Sequence, residues 1–181
     1  MATGVIGLGN IGGHIAANLV ADGNDVVVHD VDLDAMSAVS GATAAPDVAT
    51  VAGMADITLL SLPTPDVVST VAAEWAGAAA PGAVLVDLST NSPAVVRELG
   101  ERLAASGHHL VEAPLTGGAI GAEKRMLVFM VGHGVEVIAT GALLAMVHVG
   151  GVAGVLLLLR REASERMEIA ERRVSPLGEA S

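Results

Sequence analysis

Apolar residues in this chain come in short continuous runs rather than in strict alternation. Thr3 to Leu8, Val26 to Val28, Ile57 to Leu60, Ala83 to Asp87 and His109 to Glu112 are runs of this kind. Between them lie segments with apolar positions at helical spacing: Gly13 to Ala21, Leu33 to Val39, Pro46 to Ala52, Asp66 to Trp75 and Pro93 to Ala105. Strands without a period of two are buried on both faces, and strands alternating with helices form a parallel sheet. The predicted class is α/β, a doubly wound and mainly parallel sheet. Two helix starts are marked by an N-cap hydroxyl followed by proline, Thr64-Pro65 and Ser92-Pro93, where the hydroxyl satisfies a backbone N–H and proline lacks one.

In such sheets ligands sit outside the carboxyl ends of the strands. The residues to inspect are therefore Gly7 to Gly12, Asp30, Ser61 to Thr64, Asp87 to Ser92 and Ala113 to Gly118. The first of these, Gly7-Leu8-Gly9-Asn10-Ile11-Gly12, lies between a strand and a helix. A tight strand-to-helix turn requires Gly7. Close approach of a pyrophosphate requires the missing side chain of Gly9, and Gly12 lets the helix pack on the strand. The first turn of that helix offers free N–H groups and a positive dipole end to phosphates. This is a dinucleotide-binding fingerprint within one βαβ unit.

Asp30 closes the unit where a carboxylate meets ribose hydroxyls and repels a 2′-phosphate, and Val31 supplies no cation to hold one. NAD is favoured over NADP. The alternative is that Asp30 only begins a turn, with Asp32 capping the helix from Leu33. Leu62-Pro63 offers an apolar wall, and Ser89, Thr90, Asn91 and Thr116 offer neutral hydrogen-bonding groups. Thr116-Gly117-Gly118 is either an anion-binding nest or an ordinary turn.

Composition narrows the partners. The 181 residues carry 20 acidic against 9 basic side chains, a net charge of −11, with 1% aromatic residues. That balance argues against nucleic acid and anionic membranes as partners. With no cysteine, thiolate chemistry and disulfides are excluded, and a cytoplasmic location is compatible. His108, His109, His133 and His148 read as surface or core residues, so no metal site is expected. His14 lies in the first turn of the phosphate-binding helix, as a cofactor contact or a solvated position. The run Val137 to Leu159 lacks formal charge, but Gly141, Gly150, Gly151, Gly154 and His148 interrupt it. We read it as a core helix and a strand, Val147 to Val149, rather than a membrane span.

Three segments together resemble the β-hydroxyacid dehydrogenases, the family of 3-hydroxyisobutyrate dehydrogenase and tartronate semialdehyde reductase, related to 6-phosphogluconate dehydrogenase. They are the glycine fingerprint with Asp30, then Asp87-Leu88-Ser89-Thr90-Asn91-Ser92-Pro93, then Glu112-Ala113-Pro114-Leu115-Thr116-Gly117-Gly118-Ala119-Ile120-Gly121-Ala122. The resemblance runs to about Gly154. It implies a Rossmann-type fold and hydride transfer between NAD(P) and a small 3-hydroxy acid. Ser89, Thr116, Gly117 and Gly118 look like the substrate-binding elements. Gly7, Leu8, Gly9, Asn10, Ile11, Gly12, Asp30, Leu62, Pro63 and Thr90 look like the cofactor contacts.

The family also implies a lysine after a Gly-rich segment, at the start of a long helix, to exchange a proton with the substrate hydroxyl. Here His148 to Gly154 is followed by Val155 to Leu159 and Arg160, and the only lysine is Lys124. Arginine stays protonated and cannot act as a base. Arg125-Met126 stands where the family carries Gly-Thr. The expected organisation is a nucleotide-binding domain over residues 1–154 and a remnant helix with a charged tail over 155–181, without the family's all-helical C-terminal domain. A truncated or frame-shifted product, catalytically impaired and self-associating through Val152 to Leu159, is the corresponding expectation. A nucleotide-binding module without catalysis and an imine reductase relative are the alternatives.

Overall fold

The structure, a computed structural model, describes residues 2–133 and 145–147. Six parallel strands form its frame: β1 (Ala2–Ile6), β2 (Val26–His29), β3 (Thr43–Ala44), β4 (Ala55–Leu60), β5 (Val84–Asp87) and β6 (His109–Glu112), in the order β3-β2-β1-β4-β5-β6. The order reverses at β1, which pairs with β2 on one side and β4 on the other, and this switch point is where a doubly wound sheet opens a crevice for ligand. The mainly parallel expectation holds. Beyond β6 the direction changes. β7 (Leu115–Thr116), β8 (Val128–His133) and β9 (Ala145–Val147) extend the sheet antiparallel, with β8 pairing β6, β7 and β9.

Helices α1 (Gly12–Ala21), α2 (Leu33–Ala38), α3 (Val48–Met54), α4 (Pro65–Ala78), α5 (Pro93–Ala105) and α6 (Gly118–Glu123) connect these strands. Their starts follow local chemistry. Asp32, Asp47, Thr64 and Ser92 each accept a backbone N–H at an N-cap, so four helices begin on a side-chain oxygen. α3 begins at Val48 rather than Pro46, because the carboxylate of Asp47 accepts the Thr50 N–H at 2.7 Å and fixes the first turn there. The expected α4 start is correct, and the helix runs on to Ala78, where Ala79 returns to extended backbone.

Side chains of each strand alternate between two cores. Val5, Val28, Leu59, Val86 and Val111 join Ile15 and Leu19 of α1 and Met36 of α2 on one face. Ile6, Val27, Leu60, Leu85 and Leu110 join Val51 of α3, Val68 and Trp75 of α4 and Leu99 of α5 on the other. Both faces are thus covered, which is why the strands read as continuous apolar runs. Trp75, fully buried, donates its indole N–H to the Thr58 hydroxyl at 2.9 Å, which satisfies the one polar atom that its burial would strand. His108, also buried, packs edge-on against Trp75 and donates from Nε2 to the Ala76 carbonyl at 3.1 Å.

The expected helix and membrane-span alternatives within Val137 to Leu159 lie outside the described residues, except that Val147 ends β9. Among the described residues no helix is long and apolar enough to cross a membrane.

Gly4 shows how tightly α3 docks. A Cβ there would sit 2.6 Å from Val51 Cγ1 and 2.8 Å from Thr58 Oγ1. Gly4→Ala is expected to destabilise the fold by about 1–3 kcal/mol through overpacking, measured as a lower urea midpoint. An unchanged midpoint would show that α3 yields freely.

Candidate functional site

The carboxyl ends of β1, β2, β4, β5 and β6 lie along one edge, and the loops leaving them form the site. Gly7 turns the chain at φ 89°, and a Cβ there would lie 2.3 Å from the Ser61 carbonyl oxygen. Gly12 opens α1, where a Cβ would lie 1.9 Å from the Gly7 carbonyl oxygen. Gly9 is different. It is exposed, and a Cβ there would meet nothing within 4 Å. Two of the three glycines are therefore required by the fold itself, and the third borders open space. α1 has Ile11 at its N-cap, without a side-chain cap and without an acidic residue in its first turn; the Gly13 N–H donates to the Gly9 carbonyl at 3.1 Å, and the positive dipole end of the helix favours an anion. These features fit a bound pyrophosphate. Leu8 points into the core, Asn10 is exposed, and His14 is a solvated helix position.

Asp30 faces this loop. Its Oδ2 accepts the Leu8 N–H at 2.6 Å and its Oδ1 accepts the Asp32 N–H at 2.9 Å. Asp32 in turn accepts the Asp34 N–H and caps α2. Asp30 thus begins the turn before α2 and also contacts the glycine loop. Each carboxylate oxygen carries two acceptor sites, so Asp30 retains capacity for ribose hydroxyls. Val31 beside it is 96% exposed.

On the other side of the switch point, the loops after β4 and β5 are joined. The Leu62 N–H donates to Ser89 Oγ at 3.1 Å. Leu62 is half-buried, whereas Pro63 and Thr90 are exposed at the same edge. Asp87, 1% exposed, accepts the Ser89 N–H at 2.9 Å and the Asn91 side-chain N–H at 2.6 Å. Its backbone carbonyl accepts the Ala113 N–H at 2.8 Å. Burial pushes the Asp87 carboxyl above the usual carboxylate range, against the opposing hydrogen bonds from Ser89 and Asn91. Glu112, its register partner on β6, is raised first by burial and then by the Asp87 charge.

The third segment is a short strand, a turn and a short helix rather than an open loop. Thr116 ends β7, Gly117 at φ 121° precedes α6, and Gly118 at φ 58° begins it, all three exposed. Sequence reasoning missed how α6 is held. Asn18 of α1 donates its side-chain N–H to the Ala122 carbonyl at 2.9 Å, and Arg125 pairs with Asp22. Arg125 stands at φ 59°, a left-handed position, so glycine would suit the backbone there and the ion pair accompanies the departure. Asp87 stands among the residues singled out in the sequence, but its hold on the turn was not read, although an acid two residues before a serine N–H is the pattern of an Asx turn. Among the described residues no group of three or more His, Asp or Glu side chains is placed to hold a metal ion.

The sequence profile of the NAD binding domain of 6-phosphogluconate dehydrogenase matches residues 2–148. The chain belongs to that family. A mitochondrial 3-hydroxyisobutyrate dehydrogenase of Drosophila melanogaster is 34% identical over 132 residues, which cover 71% of this chain and 41% of the relative. The solved structure of Mycobacterium tuberculosis 3-hydroxyisobutyrate dehydrogenase with L-serine superposes with a TM-score of 0.70 at 32% identity, over 72% of this chain and 46% of that one. An imine reductase of Streptomyces aurantiacus superposes with a TM-score of 0.62 at 26% identity, over 67% of this chain and 43% of that one. The chain spans less than half the length of the curated relatives it matches. Family members include oxidoreductases, and a nicotinamide cofactor accords with the matched domain.

The raised position of Glu112 fixes the sign of a pH effect. Its folded-state value lies above the unfolded one, so its contribution to stability is present at acid pH and is lost as pH rises through the raised value. Glu112→Gln is therefore expected to gain stability relative to the unsubstituted chain as pH rises above the usual carboxylate range. Urea midpoints measured across that window check it, and a pH-independent difference would contradict it.

Proposed function

We propose that this chain binds NAD at the edge formed by Gly7 to Gly12, Asp30, Leu62, Pro63 and Thr90, and that Ser89 with Thr116, Gly117 and Gly118 receives a small 3-hydroxy acid. The observation that carries the reading is the contact between Asp30 and the Leu8 N–H, which couples a ribose-recognising carboxylate to the glycine loop. Asp30, Asp32 and Asp34 together make this corner acidic, and Val31 adds no cation. That charge favours a free 2′-hydroxyl over a 2′-phosphate. Support for the substrate class comes from the relatives. L-serine, present in the M. tuberculosis structure, is itself a 3-hydroxy acid.

The chemistry supplied by a bound nicotinamide is hydride acceptance from the carbon that bears the substrate hydroxyl. Removal of the hydroxyl proton then needs a base. The only lysine is Lys124, and no lysine follows the Gly-rich segment His148 to Gly154. Turnover is therefore reduced, by about 10²- to 10⁴-fold for the loss of acid–base assistance. The same absence favours the second reading, a nucleotide-binding module without catalysis. An imine reductase relative is disfavoured by the Ala113-Pro114-Leu115-Thr116-Gly117-Gly118 segment. The division at residue 154, a cytoplasmic setting and self-association through Val152 to Leu159 complete the proposal, and these rest on sequence alone.

Calorimetric titration tests the binding step. Saturable binding of NAD and weaker binding of NADP are expected, and Asp30→Ala should narrow the difference. Gly9→Ala should weaken NAD binding while leaving the urea midpoint nearly unchanged, since the added methyl meets only open space. Equal affinity for both nucleotides would contradict the role of Asp30. With 3-hydroxyisobutyrate and NAD at saturation, slow NADH formation supports the enzyme, and NAD binding without product supports the module.

A further inference from the structure

Two of the loops at the ligand edge are tied to one buried side chain. Asp87 ends β5, and its carboxylate accepts the Ser89 N–H at 2.9 Å and the Asn91 side-chain N–H at 2.6 Å. Ser89 Oγ then accepts the Leu62 N–H at 3.1 Å, so the loop after β4 hangs on the turn that Asp87 holds. The Asp87 carbonyl accepts the Ala113 N–H at 2.8 Å, a backbone bond that continues the pairing of β5 with β6 and does not involve the carboxylate. The loop after β4 also meets the glycine loop through backbone, since the Ser61 N–H donates to the Ile6 carbonyl at 2.9 Å, but the side chain that holds the glycine loop is Asp30.

A carboxylate that is 1% exposed is an expensive way to fasten a turn. Burial disfavours its charged form, and no basic side chain pairs with it among the described residues; the partners are an amide and a backbone N–H. An apolar residue would suit the surrounding core of Leu85, Leu60 and Leu110, and buried charges are commonly no more stabilising than apolar replacements of similar volume. What the carboxylate adds is direction. It is acceptor-only when ionised. It therefore turns the Asn91 amide so that its N–H faces inward and sets the Ser89 backbone in one geometry. Asn91 Oδ1 is buried and has no partner among the described residues, so the amide is oriented by the carboxylate rather than by its oxygen.

We propose that Asp87 is a positioning residue that holds the loops after β4 and β5 in register as one half of the nucleotide site, distinct from the half built by Gly7 to Gly12 and Asp30. The inference rests on the nucleotide-binding reading above and extends it. It divides the site into two halves with different supports. A ligand confined to the glycine loop and Asp30 should be indifferent to Asp87, and one that spans the switch point should not.

The test compares NAD with ADP, the second a ligand lacking the nicotinamide half, by calorimetry on the full chain. Asp87→Asn keeps the shape and one acceptor but sets an amide N–H against that of Asn91. It is expected to weaken NAD binding by about 10-fold or more, the usual scale for losing a charged hydrogen bond, with ADP binding unchanged. The reciprocal pair, Asp87→Asn with Asn91→Asp, restores a donor facing an acceptor and should recover NAD affinity to within a few-fold. Unchanged NAD affinity in Asp87→Asn would overturn the role of Asp87, as would equal losses for NAD and ADP in a variant that melts like the unsubstituted chain. If Asp87→Asn does not fold, the reciprocal pair decides alone, since a folded pair with weak NAD and normal ADP binding would also overturn it. An unsubstituted chain that binds neither ligand overturns the nucleotide-binding reading itself.

Discussion

The contact between Gly12 and the Gly7 carbonyl is the constraint on which the rest of the ligand edge depends. No side chain fits between them, since a Cβ would lie 1.9 Å from that oxygen. The approach brings the first turn of α1 against the end of β1. α1 enters there without a side-chain cap. From this entry the helix continues as Ile15 and Leu19 seat in the core against Val5 and Val28. The same helix offers Asn18 and Asp22 to the α6 segment on its outer side. A backbone contact that excludes every residue but glycine thus governs the loop and the helix and, through the helix, the placement of a segment about a hundred residues later.

Much of this was legible in the chain because local chemistry and burial pointed the same way. Ser92 and Pro93 mark the start of α5, which runs to Ala105 as the pattern predicts. The strands His109–Glu112 and Val84–Asp87 are visible as apolar runs between turn residues. Thr43–Ala44 was not visible, because two exposed residues held by pairing with Val27 and Val28 carry no pattern of their own. The antiparallel extension was also hidden. Leu127 to Val131 has the composition of a strand, but composition does not state direction. β8 runs against β6 because α6 and Arg125 form a compact return rather than a full crossover.

For the site, the glycine loop and Asp30 were legible since their residue types are fixed by steric need and charge. The geometry of Ser89 was not. Its hydroxyl was expected to face a substrate, and it does accept a bond from a neighbouring loop, the Leu62 N–H. Only the folded arrangement brings residues 62 and 89 together, and no spacing along the chain encodes that distance. Thr116 to Gly118 illustrates the converse. Two small residues in a row left a nest and a turn open as readings, and the structure shows positive φ angles that favour glycine, at 121° and 58°.

The alternation of strand side chains between two cores has a further meaning for how the molecule tolerates change. Val5, Val28, Leu59 and Val86 face α1 and α2, while Ile6, Val27, Leu60 and Leu85 face α3, α4 and α5. The sheet therefore acts as a partition between two sets of packing interactions that share backbone but few side-chain contacts. Energetic effects of substitutions add when the sites have no common partners. Variation among Val68, Trp75, Leu99 and Leu103 is insulated from the packing of α1 beneath the glycine loop, and reaches the ligand edge only from the other side, through Leu62, which packs against the same core.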